Sequence, residues 1–392
     1  MCTCSGSRIY NLPMAFDSIQ LPSLLVDIKE GVIDLGWGHP SPSLHPLHDI
    51  RIAADSMFQS GDNAPLQYGA TQGYGPFLKS LAQFLSDQPA YSQKVSPLGL
   101  FLTAGASQGI DLACTLFARA GDTVFVEEPT YFVIEKIFRE HHLNIVGIPT
   151  DSDGLMISKI REVLESGVRP RFLYTIPTYQ NPTGVTLSTD RRIALVDLAE
   201  TFGFYVFADE VYQLIHFSEL PPPPLLTFDN HSRVISFGSF SKILAPGLRT
   251  GWIQADQSLI PRFSDAALTF SGGGFNHFTS AIVREVIDLG LLEKNIRQLR
   301  SVYLSRSKTM DGILRKELGG DVTFRKPSGG YYYWLEFPED FDTEKFLPIA
   351  EKHGVSFRPG NAFSESGRFS RNLRLTFTLY ESEKIVQGVQ RL

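Results

Sequence analysis

The sequence predicts an α/β protein. A large domain holds a mostly parallel sheet with helices on both faces, and a smaller α+β domain is built from the N- and C-terminal segments. Three observations carry this reading. From about residue 99 to 255, short apolar runs alternate with segments of helical spacing. Those runs are apolar throughout rather than at every second residue, as strands buried on both faces must be. Beyond a helical pattern ending near Leu318 the texture changes to GGYYYWLEF, a helix near 343–353, GVSF and LRLTFTL. The boundaries drawn from this are 48–285 for the large domain, and 1–47 with 286–392 for the small one.

Taken in order, LGLFLTA (98–104) is a strand and SQGIDLACTLFARA (107–120) a helix. TVFVEE (123–128) and PTYFVIEKIFRE (129–140) repeat the pair, and NIVGIP, RFLYTIP, FYVFAD and RVISFG are further strands. STDRRIALVDLAETFG is an amphipathic helix, with Ser188 or Thr189 as its cap and Asp190 in its first turn. The four prolines at 221–224 read as a stiff surface loop.

Composition narrows the function. The 392 residues are 43% hydrophobic and 20% charged, an ordinary globular balance. Net charge is −6, from 36 basic and 42 acidic residues, which argues against non-specific nucleic-acid binding. No apolar run is long enough to span a membrane. Three cysteines (Cys2, Cys4, Cys114) are too few for a disulfide scaffold and lack zinc spacing. A reducing compartment is expected, and the N-terminus is too poor in basic residues to read as an organelle signal. The cytoplasm is therefore the expected location.

In a parallel sheet, ligands bind beyond the carboxyl ends of the strands. Five polar features stand there: Ser107–Gln108, Tyr131, Asn181, Asp209 and Lys242. GASQG (105–109) admits three readings: a helix start capped by Ser107, a phosphate cradle at a helix N-terminus, or a G-x-S-x-G nucleophile elbow. Asp209 is either the cap of a following helix or the partner of a protonated heterocyclic nitrogen, with Tyr212 pointing the same way from the first helical turn. Asn181 precedes Pro182 and is biased to extended geometry, its amide free to reach inward. Tyr131 is a core aromatic or a ring-stacking residue. Lys242 is a snorkelling lysine or an amine that attacks a carbonyl. Arg249 lies seven residues on and supplies a second cation and a phosphate clamp, with Ser239 and Ser241 as hydroxyls. One ligand needs all of these groups. Pyridoxal phosphate requires a lysine for its aldehyde, a carboxylate at its ring nitrogen, a phosphate site and an aromatic on its ring face.

The ordered set DLGWGHPSP, QYGATQGYGPFLKSLAQFL, TAGASQGIDL, EEPTYF, IPTYQNPTG, ADEVY, SFSKILAPGLRTGW, PSGGYYYWLE, RPGNAF and LRLTFTL resembles the fold-type I, class I/II pyridoxal-phosphate aminotransferases over nearly the whole chain. Within them it is similar to the 2-aminoadipate and aromatic aminotransferases. The resemblance implies that Lys242 bonds the cofactor, Asp209 binds its ring nitrogen, and Asn181 and Tyr212 its ring hydroxyl. Ala106, Ser107, Gln108, Ser239 and Arg249 would hold the phosphate, and Tyr131 would stack on the ring. Arg374 would clamp the substrate α-carboxylate, with Gly36 and Asn181 nearby. Tyr68 would reach the phosphate of a neighbouring subunit, in a homodimer with shared sites. Asn276 and His277, in SGGGFNHF (271–278), would lie where relatives select substrate side chains across the dimer. The substrates would be an α-amino acid and a 2-oxo acid, exchanged by a ping-pong mechanism. Lys79 departs from the family's usual arginine, and ASQ from its usual SQQ.

Three rival readings stand beside this one. A serine hydrolase on Ser107, with a later Asp and His353, lacks an HGGG-type loop and leaves Lys242, Asp209, Asn181 and Arg374 unexplained. A regulator with an aminotransferase-like domain would need a basic helix-turn-helix ahead of DLGWG. A lyase or synthase on the same fold keeps the cofactor and changes only the reaction.

Overall fold

Each buried strand must pack both of its faces, and the alternation of side chains shows that it does. The computed structural model describes residues 24–26, 28–364 and 366–392. Cys2, Cys4 and the start of the 1–47 segment lie outside the described residues. The strands are β1 (Ile33–Asp34), β2 (Leu100–Thr103), β3 (Thr123–Glu128), β4 (Asn144–Asp151), β5 (Gly154–Leu155), β6 (Pro170–Thr175), β7 (Tyr205–Asp209), β8 (Val234–Ser239), β9 (Gly251–Ala255), β10 (Thr323–Phe324), β11 (Tyr332–Glu336), β12 (Val355–Ser356), β13 (Arg358–Pro359) and β14 (Asn372–Thr376). The helices are α1 (Leu47–Gln59), α2 (Gly75–Ser86), α3 (Ala106–Phe117), α4 (Phe132–Glu140), α5 (Ile157–Glu165), α6 (Thr189–Phe202), α7 (Ile260–Ser264), α8 (Ala267–Gly272), α9 (His277–Asp288), α10 (Leu291–Leu318), α11 (Thr343–Lys352) and α12 (Ser382–Arg391).

An eight-stranded sheet has the order β2-β9-β8-β7-β6-β3-β4-β5. β8, β7, β6, β3 and β4 are parallel, while β9 runs against both β2 and β8. Val124, Val126, Phe172, Tyr174 and Phe207 face one apolar cluster, shared with α3 and α4. Their neighbours Phe125, Leu173, Val206 and Ala208 face the other, beneath α5 and α6. This is the doubly covered sheet that the continuous apolar runs predict.

A second sheet, β10-β11-β14-β13, carries the C-terminal strands. β1 pairs in parallel with β12, which ties the N-terminal segment to the C-terminal one. Among the described residues, no helix is long and apolar enough to cross a membrane.

The structure departs from the sequence reading in four places. β9 was not foreseen. Ser107 is not a cap, because Gly105, at φ 94°, holds the cap position of α3 and Ser107 lies in its first turn. Asp209 caps no helix, since β7 runs into a turn that carries Tyr212. The 221–224 loop does not stand out at the surface: Pro221 and Pro224 are buried, and Arg192 donates to Pro223 O (2.9 Å) and Gln213 to Pro222 O (2.9 Å).

Candidate active site

Because β3, β6, β7 and β8 are parallel, and β2 runs the same way on the far side of β9, the residues past their carboxyl ends share one side of the sheet. Lys242 sits in the turn after β8, half-buried, and donates from Nζ to Gly38 O at 3.1 Å. Its Nζ lies 5.2 Å from the centre of the Tyr331 ring. Burial holds this amine below the usual lysine range, and the charges of Arg374 and Arg249 push the same way, against the pull of Tyr332 and Asp209. A lysine so placed is easier to deprotonate and so better able to attack a carbonyl.

Asp209 ends β7 and is buried. Tyr174 donates to its Oδ2 at 2.8 Å, while Oδ1 has no partner among the described residues. Burial pushes this carboxyl up to about 6, against the Tyr174 hydrogen bond, the Val211 amide and the Lys242 charge. A buried oxygen without a donor is costly unless a ligand supplies one.

Arg374 lies on β14 and is buried. It donates to Asn181 Oδ1 at 2.6 Å and to Gly36 O at 2.5 Å. Its guanidinium rests 4.2 Å from the Tyr332 ring centre and 4.8 Å from that of Phe363. Tyr332 and Tyr212 pair through their hydroxyls at 3.1 Å. Tyr332 also fills the space above Gly38, where any Cβ would collide with its hydroxyl. Tyr131, at the start of α4, is half-buried, and burial raises its phenol to about 12.

The third part of the site surrounds the start of α3. The first amides of a helix lack partners within it, so Ala106 and its neighbours offer N–H groups to an anion. Gln108 turns its side-chain oxygen back to accept from Ala104 N at 3.0 Å. Arg249 reaches Ala104 O at 3.2 Å, and a Cβ at Gly105 would stand 2.8 Å from its guanidinium. Ser239 is paired in register with Gly251, which abuts Gly105, and its hydroxyl donates to Ser241 Oγ at 2.9 Å.

The remaining sequence-predicted residues lie apart. Tyr68 is 85% exposed, and its side chain makes no hydrogen bond or ring contact among the described residues. Asn276 donates to Arg249 O, and His277 packs on Gly69 and Tyr74. Within the chain these two side chains tie the Tyr68 segment to the Arg249 turn. No histidine or carboxylate bonds Ser107 among the described residues, so the nucleophile-elbow reading has no base to work with.

A family model described as aminotransferase class I and II matches residues 30–392. The chain belongs to the class I and II aminotransferases. The aromatic-amino-acid aminotransferase 1 of Thermococcus litoralis is 33% identical over 365 residues, which are 92% of this chain and 87% of the relative. The 2-aminoadipate transaminase of Thermus thermophilus is 30% identical over 93% of this chain and 90% of its own. The solved kynurenine aminotransferase of Pyrococcus horikoshii, in complex with PMP, superposes with a TM-score of 0.86 at 33% identity, covering 93% of this chain and 90% of that one.

This aminotransferase works with pyridoxal phosphate, and its residues fit that cofactor on three counts. Asp209 Oδ1 lacks a donor that a protonated ring nitrogen provides. Lys242 is a desolvated amine beside it. Arg249 and the α3 amides converge where a phosphate carries its charge. Sequence reasoning missed Tyr174, Tyr332 and the Gly38 carbonyl. A tyrosine inside the apolar run RFLYTIP was a usable signal, since a buried phenol needs a partner.

Behind Asp209, Glu127 accepts from Thr175 Oγ1 (2.6 Å), Ile176 N (3.0 Å) and Gln180 Nε2 (3.2 Å), and burial pushes it up to about 7. Glu210 is likewise raised by burial to about 7. All three carboxyls therefore hold a proton more tightly folded than unfolded. Their stability contribution is complete below the unfolded carboxyl range, about pH 4, and is lost as pH rises through the folded values. Burial also holds His39 and His216 down to about 4, which opposes this trend below about pH 6.5, so the difference between variant and wild type is the readout. In the cofactor-free protein, the melting temperature of Glu127→Gln should gain on wild type as pH rises from about 5 to 8. A difference that stays constant with pH would show that Glu127 is ionised throughout in the folded chain.

Proposed function

We propose that the enzyme moves the amino group of an aromatic or long-chain α-amino acid, 2-aminoadipate included, to a 2-oxo acid, with 2-oxoglutarate as acceptor. The single observation that carries this reading is the buried Arg374 fork. It lies within electrostatic reach of Lys242 and Tyr131 and is flanked by the rings of Tyr332 and Phe363. The names of the Thermococcus and Thermus relatives support the same donor classes.

In this reading Arg374 takes the donor α-carboxylate on its two terminal nitrogens, which orients the Cα–H bond. Lys242 Nζ would bond the cofactor's aldehyde carbon and, when free, would carry the Cα proton. Asp209 Oδ1 would accept from the ring nitrogen, and Asn181 Nδ2 and Tyr212 would meet the ring hydroxyl. Tyr131 would cover the ring face. Ala106, Ser107, Gln108, Ser239 and Arg249 would hold the phosphate. The bound cofactor supplies the electron-accepting ring. One site serves both half-reactions, so the kinetics are ping-pong. The large unit is 48–285, and 1–47 with 286–392 form the small one; the β1–β12 pairing supports the latter.

A screen of amino donors against 2-oxoglutarate, scored for 2-oxo acid product, tests the substrate assignment. Phenylalanine, tyrosine, kynurenine and 2-aminoadipate should lead. Release of product without net amino transfer would move the chain to lyase chemistry.

The active unit in this reading is a homodimer. Leu47, Phe58, Leu66, Tyr68, Leu268 and Phe270 are exposed apolar side chains on α1, α8 and the segment before α2. An apolar surface of this kind is what a partner subunit covers. Tyr68 then completes the partner's phosphate site. Lys242→Ala and Tyr68→Ala proteins, each nearly inactive alone, should recover activity on subunit exchange. About half the dimers become mixed and about a quarter of all sites become wild type. No recovery despite proven exchange would return Tyr68 to its own chain.

A further inference from the structure

Arg358 stands opposite Arg374 in the small sheet. β13 and β14 are antiparallel, and Arg358 and Arg374 are direct cross-strand partners. Directly opposed residues share a face of the sheet, with Cβ atoms about 5 Å apart, and like charges in that arrangement repel. A chain that places two guanidiniums there needs an anion between or beside them. The protein supplies little. Arg358 makes no side-chain hydrogen bond or ion pair among the described residues, and its Nε is buried without a partner. Asp34 is the nearby carboxylate, but its Oδ1 accepts from Gly36 N at 2.8 Å and it bridges neither arginine. Burial and the Arg374 charge both hold Arg358 below the usual arginine range, against the pull of Asp34.

What the protein does supply is an aromatic clamp. The Arg358 guanidinium lies 4.8 Å from the Trp37 ring centre and 5.3 Å from that of Phe132. Trp37 sits between Gly36, whose carbonyl holds Arg374, and Gly38, whose carbonyl holds Lys242. Phe132 follows Tyr131. The clamp therefore fixes the cation at the edge of the catalytic cleft, and its flat faces leave the guanidinium edge for a planar anion. Arg358 itself is only half-buried, so that edge is accessible.

We infer that Arg358, held between Trp37 and Phe132, binds the second carboxylate of a dicarboxylic amino or 2-oxo acid whose first carboxylate lies on Arg374. The inference rests on Arg374 taking the α-carboxylate. It makes Arg358 a specificity-determining residue: glutamate, 2-oxoglutarate and 2-aminoadipate use both arginines, while aromatic donors use Arg374 alone and turn their rings to Trp37 and Tyr131.

The test uses the cofactor-loaded enzyme and the unreactive probes glutarate and hexanoate, with binding followed by calorimetry and by the cofactor absorption band. Glutarate should bind tighter than hexanoate to the wild-type protein. Arg358→Gln should weaken glutarate by about 30-fold or more, the usual cost of removing one member of a desolvated charge pair, and leave hexanoate within about threefold. Arg358→Lys, which keeps the charge and loses the fork, should fall between. The kcat/KM for 2-oxoglutarate should fall with the glutarate affinity, while that for phenylpyruvate holds. Equal losses on both probes would overturn the inference and make Arg358 a clamp for Trp37 and Phe132 only. Unchanged glutarate binding in Arg358→Gln would overturn it as well. Arg374→Lys separates the underlying reading: it should weaken hexanoate too, and if it does not, the α-carboxylate assignment fails independently of Arg358.

Discussion

Lys242→Ala should lose transamination by about 10⁴-fold or more, because one side chain supplies both the covalent anchor and the proton carrier. The fold should survive the change. Among the described residues Nζ makes one hydrogen bond, to Gly38 O at 3.1 Å, and its charged form is disfavoured by burial. Removing a desolvated amine leaves one carbonyl without a donor, and a water molecule can replace it from the open side of the cleft. The melting temperature should therefore stay within a few degrees of wild type while the rate collapses. Borohydride should fix the cofactor to the peptide containing Lys242 in the wild-type protein and to no peptide in the variant. Label on another lysine, or a variant within tenfold of wild-type activity, would reject the assignment.

The sequence-predicted residues that the structure gathers beyond the sheet share one property. Lys242, Asp209 and Asn181 each follow or end a continuous apolar run, and a charge or amide at the end of a buried strand is conspicuous locally. Arg374 was visible because LRLTFTL has the alternating pattern of a strand. What escaped depended on contacts distant in sequence. β9 reads GWIQA, short and interrupted by glycine and glutamine, and it is a strand only because β2 and β8 flank it on both sides. Ser107 is the better cap by local preference, but the left-handed backbone needed to bring Arg249 against the helix start selects Gly105 for that position. Tyr174 and Tyr332 look like ordinary strand aromatics until the fold sets their hydroxyls on Asp209 and Tyr212. Arg358 precedes a proline in RPGNAF, and nothing local sets it opposite Arg374.

Asp209→Asn separates binding from chemistry at the same site. The native carboxylate has one oxygen occupied by the Tyr174 phenol and one free. An asparagine keeps the size, and its carbonyl can go on accepting from Tyr174. Its NH₂ group then faces the ring nitrogen and is a donor where an acceptor is required. The variant would no longer hold a proton on the ring nitrogen, and the bound cofactor would then draw electrons from the Cα–H bond far less readily. Cofactor affinity should drop by about tenfold, since the phosphate contacts and Lys242 remain. Proton removal should slow by about 10²–10⁴-fold at saturating cofactor. Single-turnover absorbance with a Cα-deuterated donor reads that step directly, and the deuterium effect should reach its full value in the variant because C–H cleavage becomes limiting. Tyr174→Phe is the control. Tyr174 acts through Asp209, so its loss should leave an ionisable carboxylate, shift the pH profile upward and cost far less rate. If Asp209→Asn turns over at the wild-type rate once cofactor is saturating, the free oxygen of Asp209 has no electronic role, and the buried carboxylate serves only to shape the end of β7.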